Sequence, residues 1–277
     1  MTPCIWTAIY MEAPPEALRR LRACGWECFE LSTEHLNMID EAADQPALID
    51  EVRATLDELG ASMPQAHCHL MADVADPDEA RRAADIARVE REMSICAKLG
   101  VRDVVLHPGR GTGAPEGEEQ GALKAMNAEA FGRLGGLAEE LGLRIGIENM
   151  VRSFGATAPD LLGLIEAAGG GDALGVTLDT SHAHLQGLDI PAAIRELGAR
   201  LICTHISDND GSGDQHRTPG TGTIDWPPVM AALAEVGYDG LLNLEIPGER
   251  HPVPAMLELK LRHARAVAGM LVEMAAV

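Results

Sequence analysis

Six short segments run apolar residues directly into imidazole or carboxylate groups. They are Ala66-His67-Cys68-His69, Leu106-His107-Pro108-Gly109, Ile147-Glu148-Asn149, Leu178-Asp179-Thr180-Ser181-His182, Thr204-His205-Ile206-Ser207-Asp208 and Leu244-Glu245-Ile246-Pro247. A seventh group, Asp214-Gln215-His216, follows shortly after Asp208. Such side chains ligate divalent metals and carry protons to and from reacting carbon and oxygen. Glu148, Asp179 and Glu245 brought to one point would repel strongly unless protonated or neutralised by a cation. One divalent ion removes that conflict, and mixed oxygen and nitrogen donors, with His205 among them, suit Mn²⁺, Mg²⁺, Co²⁺ or Zn²⁺. A single His or Asp in such a place is ordinarily a cap or loop residue. The weight lies in the repetition at corresponding positions.

Positioning these groups requires a particular frame. Eight short apolar runs recur along the chain: Cys4–Tyr10, Trp26–Leu31, Met63–His67, Asp103–His107, Arg144–Glu148, Gly175–Asp179, Leu201–His205 and Gly240–Glu245. Helical patterns separate them. From Pro77 to Leu99, Ile86, Val89, Met93 and Cys96 recur at helical spacing; Asp76-Pro77 is expected to open this helix and Gly100 to close it. Leu59-Gly60 and Leu141-Gly142 repeat that stop, and a last helix from about Pro254 to Met274 turns Leu257, Leu261, Ala264, Ala268 and Leu271 inward. Eight strand–helix alternations with no long linker predict one parallel sheet closed as a (β/α)₈ TIM barrel, a single α/β domain over residues 1–277. A doubly wound open sheet is the weaker alternative, because no GxGxxG follows the first run. In a barrel, active-site groups come from the C-terminal ends of the strands, where all seven segments fall.

Composition narrows the function. The 277 residues carry 22 Lys+Arg against 43 Asp+Glu, a formal charge of −21, which opposes nucleic-acid binding unless a local basic face overrides it. The stretch after the second run, Ser32 to Gln45, holds Glu34, Asp40, Glu41 and Asp44 with no Lys or Arg. With no run of about 18 apolar residues, no membrane span is expected. Six scattered cysteines without a CxxC pair read as buried reduced thiols and fit a cytoplasmic chain.

These motifs resemble the xylose-isomerase-like superfamily, which covers sugar isomerases, sugar epimerases and endonuclease IV-type enzymes. The carriers are His107-Pro108-Gly109, Ile147-Glu148-Asn149, Leu178-Asp179-Thr180-Ser181-His182, His205-Ile206-Ser207-Asp208, the segment from Asp214 to Gly222, and Tyr238-Asp239-Gly240 leading to Glu245. The resemblance implies that Glu148, Asp179, His205 and Glu245 hold one divalent metal, and that Glu148 and Glu245 act as acid and base on a sugar. His182 is the candidate to assist proton transfer to oxygen. The alternative is a multi-zinc hydrolase with two or three zinc ions, whose ligand pattern carries over to His67, His107, Glu148, Asp179, His182, His205, Asp214, His216 and Glu245. A barrel that binds without catalysis is disfavoured by the presence of both glutamates. The expected partner is a small sugar substrate rather than nucleic acid or a membrane, and the resemblance allows a homo-oligomer.

Arg110, Arg152, Arg217 and Arg250 each follow a ligand-bearing strand. Beside their ordinary role as surface cations, they are candidates to grip a substrate phosphate or carboxylate. His35, His251 and His263 read as solvated or helix-surface groups. His69 and His184 alternate with His67 and His182, so extended segments would turn each pair to the same side. Gly220 and Gly222 read as turn formers, and Trp226 as a packing residue at a helix entrance.

Overall fold

The computed structural model describes residues 1–109, 118–151, 154–248 and 253–276. Eight parallel strands pair in sequence order and close on themselves: β1 (Thr2–Trp6), β2 (Cys28–Leu31), β3 (Ser62–His67), β4 (Asp103–Leu106), β5 (Arg144–Glu148), β6 (Leu174–Asp179), β7 (Leu201–Ile206) and β8 (Leu241–Leu244). Closure is made by β1 against β8, with Cys4 opposite Asn243 and Ile5 opposite Leu244. This is the single-domain (β/α)₈ barrel that the alternation predicts. Around it run α1 (Pro14–Ala23), α2 (Thr33–Asp40), α3 (Gln45–Leu59), α4 (Glu79–Leu99), α5 (Glu118–Leu141), α6 (Ala158–Ala167), α7 (Thr180–Leu185), α8 (Ile190–Leu197), α9 (Trp226–Glu235) and α10 (Pro254–Met274).

The strands read as continuous apolar runs because both faces are covered: every residue of β2, β4, β6 and β8 is buried. Inside the ring, small residues make room. A Cβ on Gly146 would lie 2.2 Å from Thr177 Oγ1 across the β5–β6 pair, so only glycine fits there. The helices dock one apolar stripe each. In α10 that stripe is Leu257, Leu261, Ala264, Ala268 and Leu271, as the spacing predicts. Trp26 Nε1 donates to the Leu261 carbonyl at 3.2 Å and pins α10 across the start of β2. Gly60 and Gly100 stop α3 and α4 in the left-handed conformation.

Local boundaries correct some expectations. The first strand ends at Trp6, not Tyr10, because Thr7–Ile9 turn into a 3₁₀ helix. Helix α4 is capped by Asp78, whose carboxylate accepts the Ala80 and Arg81 amides at 2.9 and 3.0 Å. Asp76 instead binds the Arg81 guanidinium. The acidic stretch after β2 is not a loop throughout, for Ser32 caps α2. His35 is fully buried rather than solvated, its ring hydrogen-bonded to Thr7 Oγ1 at 2.8 Å and the Glu12 carbonyl at 3.0 Å. His263 does lie exposed on α10, while His251 falls outside the described residues. All six cysteines are buried and unpaired. Among the described residues no helix is long and apolar enough to cross a membrane.

Candidate metal centre

The C-terminal ends of β3 to β8 deliver their polar groups to one place. Glu148 ends β5, Asp179 ends β6, His205 lies in β7 opposite Asp179, and Glu245 follows β8. Ligand atoms from these four residues all lie within 4.8 Å of one another. Two further groups of that compactness adjoin them: His67, His107 and Glu148, and Asp179, His182 and His216. Glu148 is shared between the first pair of groups and Asp179 between the second pair.

Glu148 is the hub. Its Oε2 lies 3.2 Å from both His67 Nε2 and His107 Nε2, and its Oε1 lies 3.0 Å from His205 Nδ1. Burial drives its carboxyl up, but the His205 charge and the bonds from His107, His205 and His67 outweigh that and hold it well below the usual range. Glu245 is likewise held down to about 2: burial opposes ionisation, and His205 reverses it. Burial lifts Asp179 to about 6 despite His182 and His216 nearby. Its Oδ1 caps α7 by accepting the His182 amide at 2.7 Å, whereas its Oδ2 is buried and accepts no hydrogen bond.

Each imidazole is oriented from behind. The Nδ1–H groups of His67, His107 and His182 donate to the carbonyls of Cys68 (2.7 Å), Leu70 (3.2 Å) and Asn149 (2.8 Å). His216 Nδ1 donates to the Glu245 carbonyl at 3.1 Å. In each ring this leaves Nε2 facing a carboxylate: Glu148 for the first two, and Asp214 for His182 (3.3 Å) and His216 (3.1 Å). With the far nitrogen committed as donor, the near nitrogen of a neutral ring presents a lone pair, as metal-binding histidines do. Three carboxylates, a buried carboxylate oxygen with no donor and four so oriented rings, with His205 beside them, fit one or more divalent cations. Without one, His182 and His216 hold protons instead. Burial lowers both His182 and His216, but Asp179 and Asp214 raise the first to about 11, and Asp214 and Asp179 raise the second to about 10.

Asp214 and His216 ride on the segment after β7. Asp208 ties that segment at both ends, accepting Gly220 N at 2.9 Å, Ile224 N at 3.2 Å and Trp226 Nε1 at 3.1 Å, while its backbone pairs with Arg217. Gly222 is more than a turn former: a Cβ there would lie 2.3 Å from Asp208 Oδ1. His216 has φ +45°, the one left-handed non-glycine among the described residues, so its ring is aimed by a backbone that most residues avoid.

Beside this centre lies a cavity of about 470 Å³ whose wall includes Trp6, Leu70, Asp214, His216 and Glu245. A neighbouring one of about 590 Å³ shares His216 and is lined by Arg217 and Lys260. Arg217 is the one sequence-proposed arginine within the described residues; Arg110, Arg152 and Arg250 lie outside them. Its guanidinium already meets Asp210 at 2.9 Å and the Thr221 carbonyl at 3.2 Å. His184 does not share the side of His182, because both lie on helix α7, where a two-residue step turns about 200°; His184 binds Thr223 instead. His69 likewise turns away from the centre, its Nδ1 accepting the Met71 amide at 3.1 Å.

Sequence reading missed Glu30, Gln65, Asn243 and Trp6. Glu30 is fully buried, accepts Gln65 Nε2 at 3.1 Å and Asn243 Nδ2, and lies 3.0 Å from His205 Nε2. Its signal was present: Cys28-Phe29-Glu30-Leu31 sets a charge inside an apolar run. Attention to strand ends passed over it.

Residues 18–267 match the xylose isomerase-like TIM barrel family. The chain belongs to that family. A probable endonuclease 4 of Geobacter sp. is 29% identical over 236 residues, 78% of this chain and 82% of that protein. An inosose isomerase of Bacillus velezensis is 28% identical over 173 residues, 58% and 59% of the two chains. An uncharacterized protein of Methanocaldococcus jannaschii is 30% identical over 164 residues; there the match spans 57% of this chain and 55% of the relative, little more than half its length. Among solved structures, a D-tagatose 3-epimerase-like protein superposes with TM-score 0.82 at 20% identity, each chain fully covered. An L-ribulose 3-epimerase gives 0.82 at 22% identity, covering 100% of this chain and 96% of the other. At such identities the superpositions speak for the fold alone.

Proposed function

We propose that the chain is a metal-dependent isomerase or epimerase that moves a proton on a sugar or sugar acid. The observation that carries this reading is the pairing of two glutamates, Glu148 and Glu245, from separate strands in one compact tetrad beside a cavity of about 470 Å³. That volume suits a small molecule. Trp6 in its wall offers an apolar face and the tetrad a polar one, as a sugar requires.

Glu148, Asp179, His205 and Glu245 would hold the ion. When bound, a divalent cation polarises a carbonyl and stabilises negative charge on its oxygen. The rest falls to the chain. One glutamate takes the proton from the carbon beside the carbonyl; the other returns one, to the opposite face or to the neighbouring carbon. His182, its Nδ1–H held by Asn149 and its Nε2 3.3 Å from Asp214 on the cavity wall, serves proton transfer at oxygen. Arg217 and Lys260 in the adjoining cavity favour a substrate bearing a carboxylate or phosphate.

A second reading, a multi-zinc phosphodiesterase, is favoured by one specific observation. Both oxygens of Glu148 are engaged by imidazoles and it belongs to two of the three groups, so with both groups filled it would serve as a shared ligand rather than as a proton carrier. Eight of the nine expected ligands fall in the three groups, and Asp214 meets His182 and His216 at 3.3 and 3.1 Å. The net charge of −21 opposes a nucleic-acid substrate.

The test combines elemental analysis of the purified protein with turnover in D₂O against a panel of ketoses and sugar acids, and with an aryl phosphodiester. One ion per chain with deuterium entering a product supports the first reading. Three zinc ions with diester cleavage and no exchange would replace it by the second.

A further inference from the structure

Four of the five inward-facing imidazoles lean on backbone carbonyls; His205 leans on a charge. Its Nε2 lies 3.0 Å from Glu30 Oε1, and neither side chain is accessible to solvent. Glu30 sits in β2, across the barrel interior from β7, and its hydrogen bond to the tetrad runs to this ring. Two amides converge on it: Gln65 Nε2 from the adjacent strand β3 onto Oε1, and Asn243 Nδ2 from β8, beyond β1, onto Oε2. The amide oxygens of both, Gln65 Oε1 and Asn243 Oδ1, are buried without a hydrogen bond. Both side chains have therefore given up satisfaction of their own oxygens to turn N–H groups toward Glu30. That arrangement is unfavourable around a neutral acid and favourable around a carboxylate.

A carboxylate behind an imidazole fixes which ring nitrogen keeps its hydrogen and raises the basicity of the other. Here Nε2–H is fixed toward Glu30. Nδ1 then faces forward, 3.0 Å from Glu148 Oε1 and 3.2 Å from Glu245 Oε2. We infer that Glu30, held by Gln65 and Asn243, is a positioning residue that commits His205 to bind a divalent cation through Nδ1. The inference rests on the metal-centred reading above, but not on whether the chemistry is proton transfer or hydrolysis.

The first test needs no variant. In zinc-loaded wild-type protein, ¹⁵N–¹H correlation of the His205 ring should show zinc-bound Nδ1 and a protonated, exchange-protected Nε2; coordination through Nε2 overturns the inference. The second compares Glu30→Gln and Asn243→Leu with wild type by Co²⁺ titration under chelator competition. Removing such a supporting partner typically weakens metal affinity about 10- to 100-fold. Glu30→Gln should lose at least tenfold, and Asn243→Leu less, with thermal melts in EDTA verifying that each variant is folded. The cobalt visible spectrum should also change in Glu30→Gln, which a purely packing role would not produce. Affinity within twofold of wild type in folded Glu30→Gln refutes the inference. If wild type binds Co²⁺ and Glu30→Gln weakens it while no sugar is turned over, the isomerase reading fails and this one stands. If wild type binds no divalent ion, both fail.

Discussion

Replacing Glu148 by Gln removes the charge at the hub while keeping its volume, and the structure sets the size of the effect. Three imidazole nitrogens lie 3.0–3.2 Å from its two oxygens in a fully buried setting. A charged pair near 4 Å interacts by about 4 kcal/mol at an effective dielectric of 20. Desolvation offsets much of that, and removing one partner of a buried pair costs about 3–5 kcal/mol. For a chain of this size each kcal/mol moves Tm by about 2–4 °C, so the metal-free variant should melt roughly 10 °C lower at pH 6. The sign with pH follows from the rings. Burial lowers both His67 and His205, but Glu148 lifts the first above its ordinary value, and Glu30, Glu148 and Glu245 lift the second. The stability they contribute is complete below the unfolded value and fades as pH rises through the folded one. The gap between wild type and Glu148→Gln should therefore narrow toward pH 10. Calorimetry in EDTA at both pH values measures it, and turnover with metal restored should fall about 10²- to 10⁴-fold. A variant melting within 2 °C of wild type at pH 6, or turning over at the wild-type rate, would refute the assignment of Glu148 as hub and base.

Glu245→Gln should abolish interconversion yet leave solvent deuterium entering one epimer through Glu148; exchange lost from both epimers, with metal still bound, would defeat the two-base scheme. Since His182 and His216 hold protons up to about 11 and about 10, filling their group at pH 7 should release about two protons. Titration calorimetry in buffers of different ionisation enthalpy counts them, and a count of zero would contradict the geometry. Arg217→Ala should raise KM for a phosphorylated or acidic sugar about tenfold, the worth of one charge-assisted hydrogen bond, while leaving a neutral analogue nearly unchanged. Equal loss on both would remove the anion role.

The barrel was legible because its strands, largely buried on both faces, are written as mostly apolar runs, and because glycines such as Gly60 and Gly100 end helices where the pattern stops. The nine candidate ligands were legible because parallel strands all end at one mouth. Less visible was what depends on contacts across the ring. Glu30 looked like any residue of β2 until β7 brought His205 to it, and His35 looked like a surface histidine until Thr7 folded back in a 3₁₀ turn to meet it. The Asp76–Asp78 choice of cap was ambiguous locally, since both precede the helix and both pair with the Arg81 guanidinium; only Asp78 reaches the helix amides.

Asp208 fastens both ends of the segment that carries Asp214 and His216, which docks on the barrel where His216 Nδ1 meets the Glu245 carbonyl. The tetrad stands on the staves themselves and comes with the architecture. His216 of the outer group rides on this clip with Asp214 beside it. Shortening or exchanging the clip would withdraw these two candidate ligands while sparing the tetrad and the hydrophobic interior, so the donor set of the mouth can be edited in one surface insert.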